Sequence, residues 1–258
     1  MTLPNPALEA CVVVPARDEE DLIRSCLDAI ATQERVSHEE YEVLVILDGC
    51  TDETEERARH VGDVIPSLQL HFLDGPGQGS GPARRVGMDA ACDRLLQVGR
   101  PEGLIACTDA DTVVAPDWLA AQLRAVSEGA RAIGGRIELA DDGSLPESVW
   151  RRHAEEGRLR HERLLSDPNP AGETQHWQFS GASMALTAAV YSQVGGLEPL
   201  TTLEDEHLER ALRHHISIHR LISVRVTTSP RLEGRVTRGL SYDLARIALS
   251  LHEERADG

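Results

Sequence analysis

The first half of the chain alternates short apolar runs with longer stretches in which apolar residues recur every three or four positions. The short runs predict strands at 10–14, 41–47, 68–73 and 103–108, and the periodic stretches predict helices at 19–33, 51–61, 83–98 and 116–128. Four strand–helix units in sequence predict a parallel sheet that is covered by helices on both faces. Ligands bind such sheets at the carboxyl ends of the strands, so functional residues are expected there.

The hydrophobic pattern changes after residue 130, where the segments become longer and more polar. The pattern predicts a strand at 132–139, a polar helix at 146–165, a helix ending at 194–196, a strand near 221–228 and a final helix from about residue 240. The sequence shows no internal repeat and no interdomain linker. One α/β domain over residues 1–258 is therefore predicted, with a first half of about 10–130 and a second half of about 131–258.

The charge of the chain argues against several functions. All 26 cationic residues are arginine, and 43 Asp and Glu residues give a formal net charge of −17. Such an acidic chain is not expected to bind nucleic acid through its phosphates. Because the chain has no lysine, mechanisms that need a lysine Schiff base or a P-loop lysine are excluded.

The cysteines and the apolar segments indicate where the protein resides. The five cysteines are odd in number and show no C-x-x-C spacing, so they are expected to be reduced and mostly buried. No apolar stretch approaches the roughly 20 residues that span a bilayer, and no signal-peptide pattern follows Met1. The sequence therefore predicts a cytoplasmic protein without a transmembrane segment.

Charged residues follow the first two predicted strands. The segment PARDEE places Arg17 and Glu19 after the first strand, and the segment LDGCTDET places Asp48 after the second. Helix capping and the helix dipole explain part of both segments without any function. They do not explain Arg17, and a carboxylate such as Asp48 at a strand end can accept hydrogen bonds from a base or a ribose.

The loop GPGQGSGP, residues 75–82, has glycine at every second position. This spacing matches neither G-x-G-x-x-G nor the P-loop, so a dinucleotide-binding site is not predicted. Two interpretations stay open for the loop. It is either a flexible connector or a segment whose backbone approaches phosphates, with Arg84 or Arg85 as donors.

The sequence TDADT, residues 108–112, follows the fourth predicted strand and separates Asp109 from Asp111 by the small Ala110. Magnesium and manganese prefer oxygen ligands, and Mg²⁺ is typically held by one or two carboxylates plus substrate phosphates. An acidic strand exit is the simpler interpretation of these residues. Their position on the same sheet edge as Arg17 and Asp48 favours a metal site.

A second acidic group occurs in the segment LEDEHLERAL of the second half, where Glu204, Asp205 and Glu206 are consecutive. Three acids at a helix start favour the helix dipole, which is one explanation of the cluster. The other explanation is that one of the carboxylates faces a pocket as a general base.

Taken in order, these motifs resemble the inverting family 2 glycosyltransferases from about residue 10 to about residue 240. The resemblance is carried by VVVPARDEEDLIRSCLDAI, YEVLVILDGCTDET, TDADT and FSGASMALTAAVYSQVGGLEPLTTLEDEHLERAL. It implies the GT-A fold, a single Rossmann-like α/β domain with a mostly parallel central sheet flanked by helices. It also implies a nucleotide-sugar-binding first half, an acceptor-binding second half, a UDP- or GDP-sugar donor and a divalent cofactor, Mg²⁺ or Mn²⁺.

The resemblance assigns roles to particular residues. The implied donor-binding residues are Pro15, Ala16, Arg17, Glu19, Asp48, Arg84, Asp109, Ala110, Asp111, Arg235 and Arg238. Asp109 and Asp111 are expected to bind the metal, with Asp111 touching it directly. The catalytic pair is Glu204 and Asp205, with Asp205 as the base. The implied acceptor-binding residues are Trp177, Phe179, Ser180 and Gly181, although core packing explains the two aromatic side chains equally well.

The chemistry of sugar transfer fits these residues. An acceptor hydroxyl loses its proton as it attacks the anomeric carbon, and a divalent ion neutralises the departing nucleoside diphosphate. Three alternatives stay open: a haloacid-dehalogenase-like phosphatase with Asp109 as nucleophile, a sugar-nucleotide pyrophosphorylase, and a GT-A domain that binds a nucleotide sugar without catalysis. The chain lacks the glutamine and tryptophan motif of processive polysaccharide synthases, so a processive enzyme is not expected. The acceptor is not identified by the sequence.

Overall fold

An eight-stranded sheet runs through the computed structural model, which describes residues 1–166, 172–213, 215–234 and 238–256. Its strands are β1 Ala10–Ala16, β2 Tyr41–Leu47, β3 Gln69–Asp74, β4 Leu104–Cys107, β5 Thr112–Val114, β6 Ala132–Leu139, β7 Met184–Thr187 and β8 Ile218–Thr228. Their spatial order is β3-β2-β1-β4-β7-β6-β8-β5.

Helices follow most of the strands. They are α1 Ile23–Ala31, α2 Thr54–Val64, α3 Ser80–Gln97, α4 Trp118–Ser127, α5 Glu147–Leu165, α6 Ala188–Gln193, α7 Glu204–Leu212 and α8 Leu240–Ala256. Within the described ranges, no helix is both long enough and apolar enough to cross a membrane.

The strand β1 is buried on both faces, which explains its uninterrupted apolar sequence. Val12 and Val14 belong to a core that also receives residues from α1, α2 and α4. Cys11 and Val13 point the other way, into a core formed with α3, α6 and α7. The prediction of a sheet covered on both faces is therefore confirmed. All five cysteines are free thiols, and four of them are buried as expected.

The parallel arrangement is confirmed for β1 to β4, which pair in the order β3-β2-β1-β4. Two strands that the sequence did not predict complete the sheet. β7 runs antiparallel to both β4 and β6, and β5 runs antiparallel to β8. The residues of β7 are all buried in the sequence MALT, so they show none of the alternation by which a short strand is recognised.

The start of the first helix was predicted too early. The helix α1 begins at Ile23 rather than at Glu19 because the preceding residues are tied to the loop after β2. The Glu19 amide donates to Thr54 Oγ1 at 2.7 Å, and Asp18 Oδ1 accepts a hydrogen bond from the Thr51 amide at 2.7 Å. These contacts connect distant parts of the chain, so local periodicity does not report them.

The helices α5 and α8 pack against each other away from the two main cores. Their shared apolar cluster is small, consisting of Leu139, Leu145, Val149, Leu244 and Ile247. Val149 is the buried residue of the 19-residue helix α5. This pair of helices forms one wall of a large cavity, described next.

Candidate active site

A cavity of about 940 Å³ opens at the carboxyl ends of β1, β2 and β4 and is closed on the other side by α5 and α7. It is lined by every predicted site residue that the structure describes, namely Pro15, Ala16, Arg17, Glu19, Asp48, Arg84, Asp109, Ala110, Asp111, Trp177, Phe179, Ser180, Gly181, Glu204, Asp205 and Arg238. Arg235 lies outside the described residues. The cavity brings strand ends of the first half together with the segment LEDEHLERAL of the second half, and the roles of these residues stay predictions.

The glycine loop is an ordered part of the cavity wall and not a flexible connector. The buried Asp48 carboxylate accepts hydrogen bonds from the Gly77 amide at 2.6 Å and from the Gly79 amide at 2.8 Å. Gly79 has a φ of +108°, a conformation that favours glycine, and a Cβ at Gly75 would lie 2.6 Å from Asp48 Oδ1. Asp48 thus fixes the loop from which α3 starts, and its contact with a base or ribose stays a prediction.

A buried arginine connects the two acidic motifs, and we call Arg84, Asp109 and Glu204 the inner cluster. Arg84 donates to Asp109 Oδ1 at 2.6 Å and makes a short contact with Glu204 Oε1. A Cβ on Gly181 would lie 2.3 Å from the Arg84 guanidinium, so this position has no room for a side chain. Arg84 was predicted to bind the donor. The structure shows its guanidinium committed to carboxylates from β4 and α7, and its donor contact stays a prediction.

A second arginine, Arg231, contacts Asp111, the other carboxylate that was predicted to bind the metal. We call Arg231, Glu19 and Asp111 the outer cluster. Arg231 donates to the two oxygens of Glu19 at 3.0 and 2.7 Å and lies 2.7 Å from Asp111 Oδ2. Burial and the negative charge of Asp109 raise the pKa of Asp111 to about 6, although Arg231 acts in the opposite direction. The arginines therefore do not fully compensate the negative charge at this site.

The described residues fit a divalent cation only if a bound diphosphate supplies further oxygen ligands. Among the described residues, no group of three His, Cys, Asp or Glu side chains is arranged to hold a metal. Asp109 and Asp111 nevertheless bring two carboxylates to one strand end, on the wall of the cavity. Two carboxylates and the oxygens of a bound diphosphate are the ligand set typical of Mg²⁺.

The first two acids of α7, Glu204 and Asp205, lie in different environments. Glu204 is buried against Arg84, and its pKa is raised by burial, with Arg84 opposing the shift. Asp205 faces the cavity, and its carboxylate accepts hydrogen bonds from the Gly181 amide at 3.2 Å and the Glu206 amide at 2.8 Å. The preceding Leu203 has a φ of 60°, a strained conformation of the kind found at functional sites. The geometry leaves Asp205 as the carboxylate available to a ligand.

The two aromatic residues of HWQF occupy different environments. Phe179 is 4% exposed and packs in the core beneath α3 and α7, so most of its ring is not accessible to a sugar. Trp177 is half-buried, and the Arg160 guanidinium lies 4.7 Å from its ring centre. One face of the indole is therefore covered by Arg160, and sugar stacking by either ring stays a prediction.

From the sequence we did not identify several arginines that line the part of the cavity formed by the second half of the chain. They are Arg160 and Arg163 of α5 together with Arg210 and Arg213, which lie in and directly after α7. One signal was present in LEDEHLERALR, where Asp205, Glu209 and Arg213 recur every four residues and so share one helical face.

The fold and the site together define an α/β domain with paired carboxylates at a strand end. The chain matches the model of the family described as glycosyl transferase family 2 over residues 11–186. That match covers more than half of the chain, and the chain belongs to glycosyl transferase family 2. This membership excludes the haloacid-dehalogenase and pyrophosphorylase interpretations of the sequence.

Two curated relatives match parts of the chain. Dolichyl-phosphate beta-glucosyltransferase of Drosophila melanogaster is 33% identical over 163 residues, covering 57% of this chain and 46% of that protein. Glycosyltransferase AglE of Haloferax volcanii is 29% identical over 128 residues, covering 49% of this chain and 38% of that protein. The chain thus spans less than half the length of these relatives.

Solved structures of similar fold extend over nearly the whole chain. The S. aureus TarS 1-349 complex with UDP-GlcNAc superposes with a TM-score of 0.64 at 17% identity, covering 94% of this chain and 66% of that one. The mannosyltransferase PcManGT from Pyrobaculum calidifontis, in complex with GDP-Man and Mn²⁺, gives 0.62 at 18% identity, covering 100% and 78%. At these identities the likeness shows the fold alone, and the predicted GT-A fold is confirmed.

Proposed function

We propose that this protein is a metal-dependent, inverting glycosyltransferase that moves a sugar from a UDP- or GDP-sugar to an acceptor hydroxyl. The observation that carries the proposal is the meeting of Asp109, Asp111 and Asp205 on one cavity although they come from opposite halves of the chain. Family membership supports the reaction class. The UDP-GlcNAc bound by TarS and the GDP-Man and Mn²⁺ bound by PcManGT support the donor class and the cofactor.

The donor lies, in this proposal, along the carboxyl ends of β1, β2 and β4. Asp109 and Asp111 would hold the divalent ion, which supplies positive charge against the diphosphate leaving group. Gly79 and Ser80 of the glycine loop line the same space, and Asp48 fixes this loop through the amides of Gly77 and Gly79. Arg17 is exposed at the cavity and forms no ion pair with a described residue, so its guanidinium is available to a phosphate.

Asp205 would act as the general base. Its carboxylate accepts the proton of the acceptor hydroxyl as the hydroxyl oxygen bonds to the anomeric carbon and the bond to the diphosphate oxygen breaks. This single in-line displacement inverts the anomeric centre. The Gly181 and Glu206 amides fix the orientation of the Asp205 carboxylate, which matters because carboxylates are weak bases and depend on positioning.

The test begins with a thermal-shift screen of UDP, GDP and their sugar derivatives in the presence of Mn²⁺. The nucleotide sugar that stabilises the chain is then used to measure release of nucleoside diphosphate. Replacing Asp205 by Asn should lower turnover at least 100-fold, within the usual range for removal of a general base, while donor affinity is retained.

The matched control is Glu206→Gln, which removes the charge of the next residue on the exposed side of α7. It should retain most of the turnover. Normal turnover in Asp205→Asn would contradict the base assignment. Nucleotide binding without any Mn²⁺-dependent release, in the wild-type chain, would favour the alternative of a GT-A domain without catalysis.

A further inference from the structure

The cavity wall formed by α5 and α7 is lined with arginine, and we call Arg160, Arg163, Arg210 and Arg213 the arginine wall. This concentration stands out in a chain whose formal net charge is −17. The wall lies in the second half of the chain, on α5 and in and directly after α7. None of its residues is needed to hold the donor in the proposed function.

Two guanidiniums of the wall have no carboxylate partner among the described residues. Arg163 is exposed and forms no ion pair within those ranges. Arg210 is also exposed, and the contact recorded for its guanidinium is with the backbone carbonyl of Glu206 at 3.3 Å. Arg160, by contrast, pairs with Asp243 at 3.1 Å. The wall therefore presents positive charge to the cavity that the described acids leave uncompensated.

Two arginines, Arg213 and Arg220, share the carboxylate of Glu209 on α7. Glu209 Oε1 accepts hydrogen bonds from both Arg213 and Arg220 at 2.8 Å. Arg220 is 3% exposed, and burial lowers its pKa, with the charge of Arg213 acting in the same direction and Glu209 opposing it. Glu209 therefore holds the Arg213 and Arg220 guanidiniums close together, with Arg213 on the wall of the cavity.

The helix geometry relates the wall to the general base. Arg210 and Arg213 follow Asp205 by five and eight residues, so they are displaced by roughly 7 and 12 Å along the helix direction. Asp205, Glu209 and Arg213 lie on the face of α7 that lines the cavity. An acceptor whose hydroxyl reaches Asp205 would thus place its far end, one to two helical turns away, against the arginine wall.

We infer that the acceptor carries an oxyanion, a phosphate or a carboxylate, which the arginine wall binds while a hydroxyl of the same molecule faces Asp205. The inference rests on the proposed function, because it assigns this part of the cavity to the acceptor. Guanidiniums bind phosphate and carboxylate groups through paired N–H donors, which gives orientation as well as affinity. In the transfer step the hydroxyl proton passes to Asp205, the nucleoside diphosphate leaves, and the oxyanion is unchanged.

The first experiment needs no catalysis and therefore separates this inference from the proposed function. Inorganic phosphate is titrated into the full chain by calorimetry after the donor site has been saturated with Mn²⁺ and UDP or GDP, so that phosphate cannot bind there. Phosphate should bind the wild type, and Arg163→Gln and Arg210→Gln should each weaken binding at least fivefold. The matched control is Arg158→Gln, which removes an exposed α5 arginine paired with Glu155 and Glu162 outside the cavity.

The second experiment identifies the anion. Glucose, glucuronate and glucose 6-phosphate share one ring and differ at one carbon, so release of nucleoside diphosphate compares a neutral, a carboxylate and a phosphate acceptor. At least one charged acceptor should have a kcat/KM tenfold or more above that of glucose. Arg163→Gln and Arg210→Gln should reduce this advantage mainly by raising KM.

Two results would overturn the inference. One is the absence of phosphate binding to the nucleotide-saturated chain, or binding that is equally strong in Arg163→Gln, Arg210→Gln and Arg158→Gln. The other is equal use of glucose and its charged derivatives. Phosphate binding that depends on the wall in a chain without glycosyl transfer would contradict the proposed function and leave the anion site in place.

Discussion

The inner and outer clusters place an arginine on each carboxylate of Asp109-Ala110-Asp111, but the two arginines differ in burial. The Arg84 side chain is 3% exposed, whereas the Arg231 side chain is 29% exposed. Arg84 ties the end of β4 to the start of α7, and Arg231 reaches back from the loop after β8 to Glu19. The arginine is thus buried in the inner cluster and partly exposed in the outer cluster.

This difference has a consequence for binding. A buried ion pair cannot lose one partner without leaving an uncompensated charge, so the inner cluster is expected to stay intact when ligands bind. A partly exposed pair is weaker and can exchange its partners. We therefore expect a metal ion to compete with Arg231 at Asp111 and not with Arg84 at Asp109. Three variants test this comparison, and a fourth prediction concerns a buried histidine outside both clusters.

Removing the inner arginine should have the largest effect. Arg84→Met would leave Glu204 and Asp109 without their buried cation and should lower the free energy of unfolding by about 3–5 kcal/mol. Chemical denaturation measures this change. Arg24→Met is the control, since Arg24 forms an exposed pair with Asp28 and should change stability by less than about 1 kcal/mol. Equal losses in the two variants would show that the inner cluster is not a scaffold.

Removing the outer carboxylate should affect ligand binding more than stability. Asp111→Asn should weaken Mn²⁺-dependent nucleotide binding by roughly 100-fold, because it removes the charge that is proposed to contact the metal. Binding is measured by calorimetry with and without Mn²⁺. Asp93→Asn, an exposed change on α3, is the control and should bind as the wild type does. Unchanged affinity in Asp111→Asn would count against a metal role for the outer cluster.

Acidification should reveal a buried group outside both clusters. Burial lowers the pKa of His176 from 6.5 to about 4, so the folded chain keeps this ring neutral while the unfolded chain protonates it. The unfolded state binds more protons between these values, and the free energy of unfolding should therefore fall by up to about 3 kcal/mol as the pH drops from 6.5 to 4. His176→Gln should flatten this part of the stability profile. The pH dependence of the free energy of unfolding that remains in His176→Gln is then attributable to carboxylates, including those of the two clusters.

Removing the outer arginine should have the smallest effect on stability. Arg231→Met should lower the free energy of unfolding by less than Arg84→Met does, because the Arg231 side chain is 29% exposed whereas the Arg84 side chain is 3% exposed. The affinity for Mn²⁺ without nucleotide should rise, since the competing cation is gone. A loss of stability as large as that of Arg84→Met would remove the distinction between the clusters.

The first half of the fold was predictable because its signals are local. The strands β1, β2 and β4 are apolar runs, β3 alternates polar and apolar residues in QLHF, and segments of helical spacing separate or follow them, so the order of elements can be read without tertiary information. The positions of Asp48, Asp109 and Asp111 at strand ends follow directly. The strand β7 was missed because its four buried residues have no alternation and few β-branched side chains.

The contacts within the site were harder to predict. The sequence indicated that Glu204 and Asp205 were functional, but their separate roles depend on Arg84, which is 120 residues from Glu204. The ion pair between Arg231 and Glu19 likewise joins residues that are 212 positions apart in the chain. The arginine wall was not recognised, because surface arginines on a polar helix look alike until a neighbouring helix places them on a cavity.

The sequence by itself determined the family, the strand–helix order of the first half and the chemical identity of the acidic groups, because periodicity and short motifs are properties of neighbouring residues. The tertiary structure alone decided which arginine meets which carboxylate, which acid is buried and which faces the cavity. Those outcomes depend on the packing of α3 and α7 and on the return of the chain after β8, and no local pattern encodes the distances between such segments.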